Sequence, residues 1–181
     1  MNSVAIAELV PQYSASMKKL IVLLIFSAVV IVGVGRFNLG ETGAIRFLAE
    51  METLMREGKS DEVCAMFHDD LEVDIEDHSG ESTQTVTGGK ADFCELTRTT
   101  VAGLQMLPHS MNVEFTDVNS KYEFSKPWSG EVSYSEHRTF SVPGANVSLR
   151  TVSEDEITLV QTFSGVKLRK LKSQVFKAET T

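Results

Sequence analysis

The chain has 181 residues and a formal net charge of −8, with 42% apolar and 23% charged residues. This length leaves room for one domain and an appendage, and this composition supports a packed core and excludes a largely disordered chain. A surface of this charge repels phosphate groups, which excludes nucleic acid and anionic lipid headgroups as natural partners.

An apolar segment, LIVLLIFSAVVIVGVG, occupies residues 20–35, with Lys18 and Lys19 before it and Arg36 after it. As a helix it is about 24 Å long, somewhat short of a hydrocarbon core of about 30 Å. Extending the helix by two residues and letting the flanking basic side chains reach the headgroups closes this gap. We therefore predict a transmembrane anchor over residues 20–37.

The same segment also fits a cleaved signal peptide, with Gly33 and Gly35 as the small residues before the cut. Met17 opens a second start-like sequence, so either Met1 or Met17 can be the true start. With Met1, residues 1–19 form a short cytoplasmic tail. Two lysines before the segment against one arginine after it orient the N-terminus inward. We expect a single-pass protein of a bacterial-type inner (cell) membrane, with its C-terminal domain in the periplasm.

Helical periodicity begins at Glu41 and predicts one helix that ends at Gly58. Its apolar stripe comprises Ala44, Phe47, Leu48, Met51, Leu54 and Met55. Ser60 opens a short second helix with acidic residues in its first turn. A third helix is predicted over residues 90–107. One face of that helix carries Phe93, Leu96, Thr100 and Leu104.

Alternation of apolar and polar residues predicts six strands. They comprise residues 71–76 and a strand ending at 86 before the third helix, then strands around 111–115, 130–141, 157–163 and 166–177. Pro143-Gly144 is well placed for a turn between the two long strands. This order of elements predicts an α+β fold in which three helices pack on a curved, mostly antiparallel sheet.

This order, together with the segment MREGKSDEVCAMFHDDLEV over residues 55–73, resembles the nuclear transport factor 2-like superfamily, which includes the SnoaL-like and ketosteroid-isomerase-like proteins. The resemblance covers residues 41–178. It implies a cone-shaped domain with a pocket between the helices and the concave face of the sheet. It also implies that a homodimer formed through the sheet is common.

One strand carries polar residues on the face that should look toward the helices. Val132, Tyr134, Glu136, Arg138 and Phe140 share that face by alternation. Gln161 holds an equivalent inward position on the next strand. We therefore predict a small-molecule pocket lined by Tyr134, Glu136, Arg138 and Gln161. The alternative is an ion pair between Glu136 and Arg138 at the open end of the sheet.

Cys64 and Cys94 fall on different predicted helices, the second and the third. In an oxidising compartment they are candidates for a disulfide, which would add roughly 3–4 kcal/mol to the stability of the fold. The alternative is a pair of small buried thiols that never meet.

The sequence carries no phosphate-binding loop, zinc-protease motif, CxxC pair or nucleophile elbow, and its histidines lack metal-ligand spacing. We therefore predict no metal and no cofactor. The sequence favours a membrane-tethered, extracytoplasmic module that binds a partner protein or a small ligand in a cone-shaped pocket. The alternative is a hydratase- or isomerase-like enzyme for a small apolar substrate, with Glu136 and Tyr134 in acid–base roles and Arg138 orienting them.

Overall fold

The structure is a computed structural model that describes residues 22–25, 27, 33, 38–106, 110–123, 125–143 and 147–178. The chain divides into two compact units, residues 1–34 and residues 35–181. The predicted cytoplasmic tail over residues 1–19 lies outside the described residues, as does most of the predicted anchor over residues 20–37.

The described part of the first unit is short and helical. Residues 22–25 are in a helix, and their apolar side chains are 59–66% exposed. Among the described residues, no helix is both long enough and apolar enough to cross a membrane.

The elements described in the second unit include three helices: α1 (Glu41–Arg56), α2 (Ser60–Ala65) and α3 (Lys90–Met106). Helix α1 buries Ala44, Phe47 and Leu48 from the stripe that its periodicity predicts. Gly58 then adopts a φ of +79°, a left-handed conformation that costs glycine little. The chain can therefore leave α1 and enter α2 within a few residues.

Six strands form one sheet within the described residues: β1 (Phe67–Asp77), β2 (Gln84–Gly88), β3 (Ser110–Tyr122), β4 (Ser129–Val142), β5 (Val147–Thr162) and β6 (Gly165–Lys177). Their order across the sheet is β2-β1-β6-β5-β4-β3. The pair β1 and β6 is parallel and every other pair is antiparallel. The predicted α+β fold, with helices packed on a curved and mostly antiparallel sheet, is confirmed.

Acidic residues of β1 lie opposite basic residues of β6 where the two strands pair. Glu72 lies opposite Lys170, and Asp74 lies opposite Lys172. Opposite charges on facing strands contribute roughly 0.2–1 kcal/mol per pair. A shift of one residue would move these side chains to the other face of the sheet, so the pairing favours the observed register.

The hydrophobic core begins ahead of α1. Leu39 is fully buried, together with Leu48, Phe67 and Leu159. Gly130 at the start of β4 makes this possible, because a Cβ atom there would lie 2.7 Å from the Leu39 carbonyl oxygen. The folded domain therefore includes residues 38–40, before the expected start at residue 41.

Two details differ from the sequence pattern. Phe163 is fully exposed, because it lies in the turn between β5 and β6 and not on the inward face of β5. In α3 the buried residues are Cys94, Thr97 and Val101, so the buried face is rotated relative to the predicted stripe. Leu96, from that stripe, is 41% exposed and contributes to the wall of a cavity.

Candidate functional site

A cavity of about 260 Å³ lies between the helices and the concave face of the sheet. Its apolar wall includes Phe47, Met51, Met55, Phe67 and Phe93. Its polar wall is formed by Tyr134, Glu136, Arg138, Ser153, Asp155 and Ser173. Pockets for drug-sized ligands usually measure about 300–1,000 Å³, so this volume suits a smaller molecule.

The register of three neighbouring strands builds the polar wall. Tyr134 on β4 lies opposite Asp155 on β5, and Asp155 lies opposite Ser173 on β6. In the next inward row, Glu136 lies opposite Ser153. Facing residues in a sheet project side by side from the same surface, so these five side chains form one polar patch. The adjoining inward row is apolar and consists of Val132, Ile157 and Leu171.

Asp155 is the central acceptor of the patch and is only 6% exposed. The Oγ atom of Ser153 donates a hydrogen bond to its Oδ2 atom over 2.8 Å. The hydroxyls of Ser173 and Tyr134 are near this carboxylate and also favour its charged form. Burial raises the pKa of Asp155 above its ordinary value, and the hydrogen bonds and the attraction of Arg138 oppose that rise.

Glu136 and Arg138 form an ion pair on the cavity wall, with 2.7 Å between Oε1 of Glu136 and Nη2 of Arg138. The Glu136 side chain is 15% exposed and the Arg138 side chain 37%. Burial raises the pKa of Glu136, and repulsion from Asp155 and Glu52 acts in the same direction, while Arg138 lowers it. A carboxyl group with a raised pKa is a candidate for acid–base chemistry.

The ion pair is incompletely satisfied. The Nε atom of Arg138 is buried and has no hydrogen-bond partner among the residues that the structure describes. Leaving such a donor unpaired costs about 1–3 kcal/mol, and a partly buried ion pair adds little stability in return. The pair therefore contributes more to the chemistry of the cavity than to the stability of the fold.

Tyr134 brings a phenol into the same patch. Its ring packs edge-on against Phe115, with 5.6 Å between ring centroids. Burial raises the pKa of Tyr134 well above its ordinary value, and the nearby carboxylates of Asp155 and Glu136 add to the rise. The hydroxyl therefore stays protonated across the physiological range.

Three of the four predicted pocket residues line this cavity, namely Tyr134, Glu136 and Arg138, and the structure places Gln161 outside its lining. Gln161 does face inward, but it lies six residues beyond Asp155 on β5, at the end of the sheet. Its side-chain oxygen accepts a hydrogen bond from Nδ2 of Asn38 over 2.9 Å, and its backbone N–H donates to the carbonyl of Trp128. The alternation of apolar and polar residues predicts which face of a strand a residue occupies, but it does not predict whether that part of the strand reaches the cavity.

Ser153, Asp155 and Ser173 were missed by reasoning from sequence. The predicted turn at Pro143-Gly144 indicates that β4 and β5 pair, but it does not give their register. A two-residue turn would pair Val142 with residue 145, whereas the structure pairs Val142 with Val147 and so brings Asp155 opposite Tyr134. On its other side β5 pairs with β6 through a two-residue turn, but a register shift between Thr158 and Leu159 prevents simple counting from that turn to Ser173.

The structure joins Cys64 of α2 and Cys94 of α3 by a disulfide, with 5.4 Å between their Cα atoms. Both residues are buried. Their neighbours Val63 and Phe93 line the cavity. The bridge therefore holds together the two helices that form part of the apolar wall.

Metal ligation finds no support in the described part of the chain, where no three His, Cys, Asp or Glu side chains are grouped closely enough to hold an ion. His78 is near Glu76, with 3.5 Å between Nε2 and Oε2, and it stacks on Phe176. This contact lies at the end of β1, outside the cavity.

Comparison with protein-family models and with curated proteins finds no match. Solved structures do match. A candidate scytalone dehydratase from Novosphingobium aromaticivorans is 12% identical with a TM-score of 0.54, over 76% of this chain and 83% of its own. A nuclear transport factor 2-like protein with a cystatin-like fold from the same species is 14% identical with a TM-score of 0.53, over 75% and 80%.

A third match is a candidate dehydratase of the nuclear transport factor 2-like family from Streptomyces avermitilis. It is 12% identical with a TM-score of 0.51, over 74% of this chain and 97% of its own. Likeness at this level of identity establishes the fold and leaves the activity open. The second unit of this chain therefore has the nuclear transport factor 2-like fold.

Proposed function

We propose that the chain is a membrane-tethered, extracytoplasmic module that binds a small, largely apolar molecule in the cavity between its helices and its sheet. The observation that carries this proposal is the cavity itself. Apolar side chains surround it on the helix side, and one polar patch around Asp155 lies on the sheet side. Ligand sites combine these two features, since apolar area supplies affinity and a few polar groups fix orientation.

The tether is supported by the sequence and by the disulfide. Residues 20–35 are apolar and flanked by Lys18, Lys19 and Arg36, as expected of a single membrane span. Disulfides persist in oxidising compartments such as the periplasm, and Cys64 is paired with Cys94. Both features favour a domain on the outer side of the membrane.

Fractionation of cells that express the full chain tests the tether. We expect the protein in the membrane fraction after an alkaline carbonate wash, and we expect its domain to be cut by protease in spheroplasts but not in intact cells. Recovery of the full-length chain from the soluble fraction without detergent would overturn this part of the proposal.

Binding is tested with the full chain in detergent and 3-phenylpropan-1-ol as the probe. A ligand that binds the native state raises the thermal midpoint of unfolding. The variant Met55→Trp places an indole in the apolar wall and should abolish the shift. Leu149→Trp is the matched control, because Leu149 is exposed and does not line the cavity. Equal shifts in both variants would count against the cavity as the binding site.

A second candidate function is a hydratase- or isomerase-like enzyme. The observation in its favour is that Glu136 and Asp155 both have raised pKa values beside the phenol of Tyr134. Two of the structural matches are candidate dehydratases. The test follows exchange of the C2 protons of 3-phenylpropanal with deuterated water by proton magnetic resonance. Catalysis by Glu136 predicts a loss of at least about 100-fold in Glu136→Gln, and exchange at the uncatalysed rate would exclude this candidate.

A further inference from the structure

Two exposed aromatic side chains lie together at one end of the sheet. Trp128, just ahead of β4, is 50% exposed, and Phe163, in the turn between β5 and β6, is fully exposed. The backbone N–H of Gln161 donates a hydrogen bond to the carbonyl of Trp128 over 2.8 Å. Gln161 is two residues before Phe163, so the two aromatic residues lie on adjoining turns.

Both turns are held by hydrogen bonds. The hydroxyl of Tyr122 donates to the carbonyl of Pro127 over 3.2 Å, which fixes the turn ahead of β4. In the other turn, Oγ1 of Thr162 donates to the carbonyl of Gly165 over 2.8 Å. Because the turns are already ordered, presenting the two aromatic rings to a binding surface costs little conformational entropy.

The chain enters the domain at this same end. Nδ2 of Asn38 donates to Oε1 of Gln161 over 2.9 Å, and Leu39 lies close against Gly130 at the start of β4. The predicted anchor over residues 20–37 ends directly before Asn38. In a tethered chain, this end of the domain is therefore next to the lipid headgroups.

The chemistry of this end suits a membrane–water interface. Tryptophan is enriched at such interfaces, where its ring lies at the level of the headgroups, and the apolar ring of Phe163 gains by leaving water. The segment 123–128 carries no net charge, because Lys126 pairs with Glu123, with 3.5 Å between Nζ and Oε2. A contact made by aromatic side chains needs no anionic lipid, which agrees with the net charge of −8.

We infer that Trp128 and Phe163 insert into the interface of the bilayer that holds the anchor. This inference rests on the tether in the proposed function. The surface that these two side chains form is occupied by zwitterionic lipid. An anchor alone leaves a domain free to rotate above the membrane, whereas an anchor and an aromatic contact together fix its orientation.

The chain contains one tryptophan, so its tryptophan fluorescence reports on residue 128 alone. The test places the full chain in phosphatidylcholine vesicles that carry bromine, a contact quencher of indole, either high on the acyl chains or near their ends. We expect a loss of fluorescence relative to unbrominated vesicles. The loss should be greater with bromine high on the chains, because an interfacial tryptophan lies near the headgroups.

Leu149 provides the matched controls. It is 48% exposed and lies about 40 Å from Gln161 along β5. Trp128→Phe combined with Leu149→Trp moves the single tryptophan to that end, and we expect no quenching there. Phe163→Ser should reduce the quenching of Trp128, whereas Leu149→Ser, which also removes an exposed apolar side chain, should leave it unchanged.

The outcomes separate the tether from the aromatic contact. If the full chain does not float with unbrominated vesicles, the tether is overturned and the inference with it. If the chain floats but Trp128 is not quenched, the tether stands, the inference is wrong, and a partner protein is the occupant to seek. Equal quenching of tryptophan at positions 128 and 149 would also overturn it. Unchanged quenching in Phe163→Ser would overturn the assignment of Phe163.

Discussion

Tyr134 and Asp155 lie directly opposite each other on β4 and β5, and both side chains line the same cavity. The Tyr134 hydroxyl is near the Asp155 carboxylate and helps to lower its pKa, and each of the two residues is only 6% exposed. A buried carboxylate needs such donors because water cannot supply them. The pair therefore contributes both to the polar character of the site and to the stability of the sheet.

Replacing Tyr134 with phenylalanine should lower the free energy of unfolding by about 1–2 kcal/mol, because Asp155 loses a nearby hydroxyl while remaining buried. Urea unfolding at neutral pH measures this change. Tyr122→Phe is a control for removing a hydroxyl, since Tyr122 donates to the carbonyl of Pro127 away from the cavity. A loss no larger than that of the control would show that the hydroxyl near Asp155 contributes little.

The raised pKa of Glu136 predicts a pH dependence of stability. A carboxyl whose pKa is higher in the folded than in the unfolded state stabilises the fold fully below the unfolded pKa, at about pH 4. That contribution is lost as the pH rises through the folded-state pKa. The difference in unfolding free energy between the wild type and Glu136→Gln should therefore fall as the pH rises from about 4 through the folded-state pKa.

Urea titrations at several pH values measure this difference, with Glu131→Gln as the exposed control on the same strand. A difference that grows with pH would mean that the attraction of Arg138 outweighs burial. In that case the folded-state pKa of Glu136 would be lowered and not raised.

Reduction of the disulfide should destabilise the domain by roughly 3–4 kcal/mol, because it releases a loop with a sequence separation of 30 residues in the unfolded state. The measurement is the urea midpoint with and without a reductant. Cys64→Ala combined with Cys94→Ala is the control, and its midpoint should not respond to the reductant. Two cysteines that react with a thiol reagent in the untreated native protein would contradict the bridge.

Two glycines should respond to alanine in opposite directions. Gly130→Ala places a methyl group 2.7 Å from the Leu39 carbonyl and should cost about 1–3 kcal/mol through overpacking. Gly103→Ala lies in α3, where an added Cβ meets nothing within 4 Å. It should stabilise the helix by roughly 0.5–1 kcal/mol. Thermal unfolding of both variants measures the contrast, and a neutral Gly130→Ala would show that Leu39 can shift.

Local patterns in the sequence account for much of the fold. Alternation along β4 places Val132, Tyr134, Glu136 and Arg138 on one face, and the structure has all four beside the helices. Periodicity along α1 likewise gives its buried face, because both signals arise from residues a few positions apart. What local patterns leave open is which residues of different strands stand side by side.

Asp155 shows the consequence of that gap. Alternation along β5 indicates that Asp155 is an inward polar residue. Nothing near it in the sequence indicates that hydroxyl groups from β4, β5 and β6 surround it. Gln161 lies on the same face of β5 as Asp155 but outside the cavity, because β5 extends beyond the cavity. The register between distant strands determines which of these two residues lines the cavity, and only the turn after Val142 carries part of that information.

The contact between Leu39 and Gly130 has a practical consequence for anyone preparing a soluble fragment. A fragment that begins at Glu41, the first residue of α1, would leave an unfilled hole against β4 and would lose the amide of Asn38 that holds Gln161. Beginning the recombinant fragment at residue 38 retains both contacts. Protease digestion that stops just ahead of residue 38 would mark this natural boundary.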